Sequence, residues 1–215
     1  MSMRLHLAAV ILAAGRARRM GKPKLLLPWH GSTIIAHEIE TWRNIERSNG
    51  NGQSGAHVRV VVGAKPDPIQ EELDRLHFPD DSRIVNAKPD DGMFSSIRCA
   101  ARAQWPSELT HFAIILGDQP HLKRATLQKV LHIAEEEFDS VCQPRHESRL
   151  GHPVILPRKI FVQLADTKVE KLSDFLVDQS IEPVDVDDPG LQLDIDVAAD
   201  YEQALKVEQQ AIAHH

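Results

Sequence analysis

Six consecutive apolar residues, Leu7 to Leu12, run directly into Ala13, Ala14 and Gly15, and this feature constrains the fold more than any other. Side chains alternate between the two faces of a strand, so an unbroken apolar run fits a strand covered on both faces, as in a parallel sheet wrapped by helices. The segments that follow keep to that pattern. Helical spacing over Ile34 to Ile45 gives way to a strand at Val58 to Val62, a helix over Pro68 to Leu76 and a strand at Arg83 to Asn86. A helix over Phe94 to Arg102, a strand at Phe112 to Leu116 and a helix over Arg124 to Phe138 extend the alternation, which predicts a doubly wound, Rossmann-like α/β layout for the first two-thirds. Beyond residue 140 the pattern is less regular, with short strands near Ser140 to Gln143, Val154 to Leu156 and Pro183 to Val186, then a last helix from about Ala199. The polar, glycine-rich stretch Arg47 to Ala56 reads as a mobile surface loop within one domain spanning residues 1–215.

Composition removes several functional classes. A net charge of −6 and a pI near 6.0 leave no basic face for a nucleic-acid backbone, so bound phosphate is expected only locally. Two cysteines, Cys99 and Cys142, are too few for a disulfide framework and form no CxxC pair, which fits a reducing cytoplasm. The apolar start leads straight into Arg16, Arg18 and Arg19, unlike a signal peptide, and no stretch approaches the roughly 20 apolar residues of a membrane span. The expectation is a cytoplasmic monomer without nucleic-acid or membrane partners.

Four segments carry the candidate chemistry. In Leu12 to Leu27, LAAGRARRMGKPKLLL, small Ala13, Ala14 and Gly15 let backbone N–H groups approach an anion, while Arg16, Arg19 and Lys24 can neutralise a triphosphate. The spacing is neither GxGxxG nor GxxxxGK[ST], which argues against a dehydrogenase and a P-loop NTPase. A solvated basic loop is the plain alternative, but the place of this one, at the carboxyl end of the first parallel strand, favours phosphate binding. In Ile114 to Pro120, IILGDQP, a strand delivers Asp118 to the same edge. A carboxylate there suits Mg²⁺, which takes one or two carboxylates plus phosphate oxygens, and Asp194 and Asp196 are candidate partners. The alternatives are a turn or capping role for Asp118 and an N-terminal helix charge for Asp200. In NAKPDDGMFSSIR, residues 86–98, Ser95 and Ser96 stand where a helix begins and either cap it or read a base or ribose. Gly151, His152 and Pro153 precede a strand, where His152 either contacts an acceptor phosphate or makes a local turn hydrogen bond. Cys99 and Cys142 are assigned packing roles, on a helix face and in a strand.

Taken together, these motifs resemble the MobA-like NTP transferases, and among them the molybdenum cofactor cytidylyltransferase branch. The resemblance spans nearly the whole chain, through residues 12–29, NAKPDDGMFSSIRCA at 86–100, ILGDQP at 115–120, GHPV at 151–154 and DIDVAADYEQAL at 194–205. It implies a three-layer α/β fold of the nucleotide-diphospho-sugar transferase type, with a mostly parallel sheet and the NTP lying across the strand carboxyl ends. It implies Mg²⁺-dependent transfer of CMP from CTP to the terminal phosphate of molybdopterin. Leu12, Ala13, Ala14, Gly15, Arg16 and Lys24 would bind nucleotide together with Ser95, Ser96 and Asp118; Lys24, Arg19 and Asp118 would be catalytic. Asp118 and Asp196 would hold the metal, and Gly151, His152 and Pro153 the acceptor. The LAAG form is commoner among CTP users of this branch and LAGG among guanylyltransferases. Phe94, the Ala87-Lys88 interruption and the long 47–56 loop depart from the usual pattern and bear on the acceptor. Rival readings are a guanylyltransferase, transfer to another phosphorylated metabolite, and a non-catalytic carrier that hands the pterin cofactor to a molybdoenzyme or its chaperone.

Overall fold

The structure is a computed structural model that describes residues 4–15, 23–45 and 55–213, the last five by backbone alone. In chain order the elements are β1 (Leu7–Leu12), the small hairpin strands β2 (Pro28–Trp29) and β3 (Ser32–Thr33), α1 (Ile34–Arg43), β4 (His57–Gly63), α2 (Pro68–Arg75), β5 (Arg83–Asn86) and α3 (Met93–Arg102). They continue with β6 (His111–Leu116), α4 (Arg124–Glu136), β7 (Val141–His146), β8 (Arg149–Leu150), β9 (Val154–Pro157), the short α5 (Arg158–Phe161) and α6 (Leu172–Leu176), β10 (Ile181–Asp185) and α7 (Ala198–Ala213). Each strand and helix expected from the sequence is present, with ends shifted by a few residues. Residues 47–54 of the expected surface loop lie outside the described residues.

One sheet organises the chain in the order β10-β7-β9-β6-β1-β4-β5, with β8 hydrogen-bonded to β7. β1 pairs in parallel with β4 and β6, as do β4 with β5 and β7 with β10, whereas β9 runs antiparallel to both β6 and β7. The alternation of β1 explains the three layers. Leu7, Ala9 and Ile11 point to a core shared with Ile35, Ile39 and Trp42 of α1, Leu73 of α2 and Leu131 of α4. Ala8 and Val10 point to the opposite core with Ile97 of α3, Phe161 of α5 and Phe175 of α6. Both faces of the strand are dry, which is why no polar residue interrupts it.

Helix ends are set by local chemistry that also shapes the sheet's carboxyl edge. Asp67 caps α2, accepting from Ile69 N at 2.9 Å and from Gly63 N at 2.7 Å, and so ties the helix start to the end of β4. Gly92, at φ 89°, occupies the left-handed region immediately before α3, where a side chain would be strained. The two cysteines are free thiols; burial pushes the Cys142 thiol up to about 12, which keeps it unreactive. Among the described residues no helix is long and apolar enough to cross a membrane.

Candidate active site

β1 and β6 lie side by side and end together, with Leu12 opposite Leu116. The chain leaves β1 towards β4 on one side, while the strands after β6 build the other side, so the connections diverge at this pair. Such a switch point opens a crevice at the carboxyl edge, where ligands of open α/β sheets bind. Gly117 makes the close approach possible. Its N–H donates to Leu12 O at 3.3 Å, and a Cβ there would stand 3.0 Å from the same oxygen. A cavity of about 760 Å³ opens here, walled by Ala13, Ala14 and Gly15 after β1, Gly63 at the end of β4, Ala87 after β5 and Asp118 after β6. Leu12, Lys24 and Ser96 also line it.

Three charged residues distant in sequence meet at its mouth. Buried Leu25 anchors a short 3-10 turn over Lys24–Leu26, and the adjacent Lys24 ammonium ion-pairs with Asp118 and lies 3.0 Å from Asp196 Oδ1. Burial works against the charged Lys24, but Asp118 and then Asp196 outweigh it, so its pKa lies above that of an ordinary lysine. Asp118 is mostly enclosed, with 16% of its side chain exposed, and Asp196 half open at 50%. Asp200 lies in the first turn of α7, where a helix charge was expected, and it also fixes the turn before the helix: its Oδ2 accepts from Asp196 N at 2.9 Å and Val197 N at 2.8 Å. Asp194 accepts from Gln119 Nε2 at 2.9 Å, and its pKa is raised by burial first and then by the negative charge of Asp118.

Ser95 and Ser96 separate. Ser95 Oγ lies 2.7 Å from Gly92 O and 3.1 Å from Lys88 O, so its proton serves the turn before α3, whereas Ser96 lines the cavity. Gly151, His152 and Pro153 reach the same edge because β9 is reversed: it begins where the parallel strands end. His152 Nδ1 lies 3.1 Å from Ile114 O on β6, a bond across the sheet rather than the local turn bond offered as the alternative, and burial lowers its pKa and favours a neutral ring. Gly151 and His152 line a second cavity of about 660 Å³, which meets the first at Gly92 and Met93. Arg16 and Arg19 lie outside the described residues.

Sequence reasoning missed Glu38 and Asn86. Glu38 belongs to the buried stripe of α1 with Ile34, Ile35, Ile39 and Trp42, and a glutamate at one position of an otherwise apolar stripe was the available signal. Burial, and secondarily the charge of Asp118, pushes its carboxyl up to about 8. Asn86, 2% exposed, closes β5 and holds both serines. Among the described residues no three His, Cys, Asp or Glu side chains cluster to hold a metal. Asp118 and Asp196, both within reach of one ammonium, form a two-carboxylate oxygen donor set instead, which suits Mg²⁺ when phosphate oxygens and water complete the shell.

The family described as the MobA-like NTP transferase domain matches residues 9–183. The molybdenum cofactor cytidylyltransferase of Escherichia coli (strain K12) is 23% identical over 199 residues, covering 89% of this chain and 92% of that protein. The molybdenum cofactor guanylyltransferase of Xanthomonas euvesicatoria pv. vesicatoria is 29% identical over 131 residues, 61% of this chain and 57% of that protein. Among solved structures, Rv0371C of Mycobacterium tuberculosis H37Rv in complex with manganese superposes with a TM-score of 0.64 at 23% identity, covering 94% of this chain and 98% of its own, a likeness of fold.

Proposed function

The chain belongs to the MobA-like NTP transferase domain family and is a nucleotidyltransferase; from that premise we propose that it transfers CMP from CTP to the terminal phosphate of a molybdopterin-type acceptor, with Mg²⁺, releasing pyrophosphate. The observation that carries this reading is the meeting of Lys24, Asp118 and Asp196 at the mouth of the cavity walled by Ala13, Ala14 and Gly15. The E. coli relative and the LAAG motif favour CTP and this acceptor; the Xanthomonas relative favours a second reading in which GTP is the donor.

In the proposed reaction an acceptor phosphate oxygen forms a bond to the α-phosphorus in line with the bridge to the β-phosphate. That bridge breaks, and its electron pair leaves with pyrophosphate. The backbone amides of Ala13 to Gly15 and the Lys24 ammonium would bind the departing phosphates, donating hydrogen bonds as negative charge develops there. Asp118 and Asp196 would hold Mg²⁺, which when bound neutralises charge on the phosphate oxygens. The acceptor phosphate is already ionised near neutral pH, so the site needs no strong general base, and a neutral His152 beside the second cavity is consistent with a hydrogen-bonding rather than a proton-abstracting role.

The test is pyrophosphate release by purified protein with Mg²⁺ and molybdopterin, comparing CTP, GTP, ATP and UTP. CTP-dependent release supports the proposal, GTP-dependent release transfers it to the second reading, and silence from folded protein with intact acceptor refutes both. Asp118→Asn should lower turnover by at least about a hundredfold, the scale of losing a preorganised charge at a reacting phosphate, with the unfolding midpoint preserved.

A further inference from the structure

The hydrogen-bond network at the end of β5 fixes the direction in which one buried hydroxyl must donate. Asn86 is 2% exposed, and the Lys88 backbone N–H donates to its Oδ1 at 2.9 Å. A backbone amide can only donate, so the oxygen of the Asn86 amide must face Lys88 and its NH₂ must face the other way. There Nδ2 donates to Ser95 Oγ at 2.8 Å and to Ser96 Oγ at 3.0 Å. Each serine therefore uses oxygen lone pairs on Asn86 and has one proton left to place. Ser95 places its proton on Gly92 O, 2.7 Å away. Ser96 is 5% exposed, lines the large cavity, and among the described residues has Asn86 as its sole hydrogen-bond partner. Among the described residues its proton is left without an acceptor.

We infer that Asn86 is a positioning residue that makes the Ser96 hydroxyl an obligate hydrogen-bond donor to the nucleotide base, so that the cavity selects a base presenting a carbonyl oxygen or an unprotonated ring nitrogen at that point. This rests on the nucleotide reading of the cavity. A buried donor left unpaired is costly, so a base that turns an N–H towards Ser96 is penalised, while one that turns an acceptor towards it is rewarded. Ser95, one residue earlier on the helix, takes no part in base choice because its proton is committed to the turn.

Equilibrium binding of CTP, UTP, GTP and ATP, each with Mg²⁺, measured by calorimetry on the full chain, tests this without turnover. Ser96→Ala should weaken the best-bound nucleotide by about fivefold to tenfold, the worth of one net hydrogen bond, and narrow the spread among the four by a similar factor. Asn86→Asp can only accept at both oxygens, so it draws the Ser96 proton inward and turns a lone pair to the base; it should reproduce that loss and that narrowing. In the double variant Asn86→Asp/Ser96→Ala the second change should cost less than about twofold beyond the first, because both act through one proton. An unchanged spread in Ser96→Ala overturns the inference even if the Asn86 variant fails to fold. So does an Asn86→Asp effect that adds in full to that of Ser96→Ala. Absence of binding by the wild-type protein to all four nucleotides would instead refute the nucleotide reading itself, and the inference with it.

Discussion

Replacing Glu38 with glutamine should change the pH dependence of stability more than stability itself at low pH. Glu38 is 5% exposed on α1; burial first, and the charge of Asp118 second, raises its carboxyl from 4.5 to about 8, against a hydrogen bond from Trp42 that favours the carboxylate. The folded pKa is the higher one, so the stability this group contributes is fully present below the unfolded value and is lost as pH rises through the folded value. Between the two, the folded protein holds a proton that the unfolded chain has released, and stability falls by about 1.4 kcal/mol per pH unit at most. Glutamine does not titrate, matches the shape and still accepts from Trp42. Urea unfolding of both proteins, free of metal and nucleotide, should therefore give curves that diverge by about 3 kcal/mol between about pH 5 and about pH 8, the variant gaining relative to wild type. The other titrating groups are common to both proteins and cancel in the difference. Parallel curves, agreeing within about 0.5 kcal/mol across that range, would show that Glu38 ionises normally and that the space beside Asp118 is not dry.

Lys24→Met should bind Mn²⁺ in the absence of nucleotide about tenfold more tightly than wild type, because it removes the ammonium that ion-pairs with both Asp118 and Asp196. Electron paramagnetic resonance titration reads this directly, and an unchanged affinity would show that these carboxylates do not form the cation site. His111, fully buried at the start of β6 with Nε2 2.9 Å from Phe138 O, has its pKa lowered to about 4 by burial. A depressed pKa means stability that is present above the unfolded value and lost as pH falls through the folded one, about 3 kcal/mol between pH 6.5 and 4. NMR titration should find the His111 ring neutral at about pH 5.5, and a ring that charges near its ordinary value refutes the assignment.

The fold was legible wherever burial on two faces leaves a pattern, as in Leu7–Leu12 and His111–Leu116, and where helical spacing marks one apolar stripe, as in α3 and α4. The reversal of β9 was not read, because Val154–Pro157 would be equally apolar in either direction. The signal lay in the connection: from His146 to Val154 the chain is too short for a parallel crossover, which needs about a dozen residues or more, so the strand had to return antiparallel. Lys24 and Asp118 could be placed because each follows a strand whose end defines the sheet edge. The division of labour between Ser95 and Ser96 could not, since neighbouring helix positions point about 100° apart and the partner that distinguishes them, Asn86, is on another element.

The electrostatics of the site explain why so many acids tolerate one another beside the proposed phosphate-binding cavity. Asp118, Asp194, Asp196 and Glu38 converge from three places in the chain; four full negative charges there would repel one another and an incoming triphosphate alike. Burial first, and the charge of Asp118 second, raises the pKa of Glu38 to about 8 and raises that of Asp194 too, while Gln119 donates to the Asp194 carboxylate, so the full repulsion is not met. The charge that remains on Asp118 and Asp196 is met by Lys24. If an arriving divalent ion takes over those carboxylates, the lysine is freed to face phosphate, and one pair of acids serves the protein in both states. On that logic metal and nucleotide each remove a cost the other would meet alone, so their binding should be cooperative, with the same coupling factor whichever is titrated first.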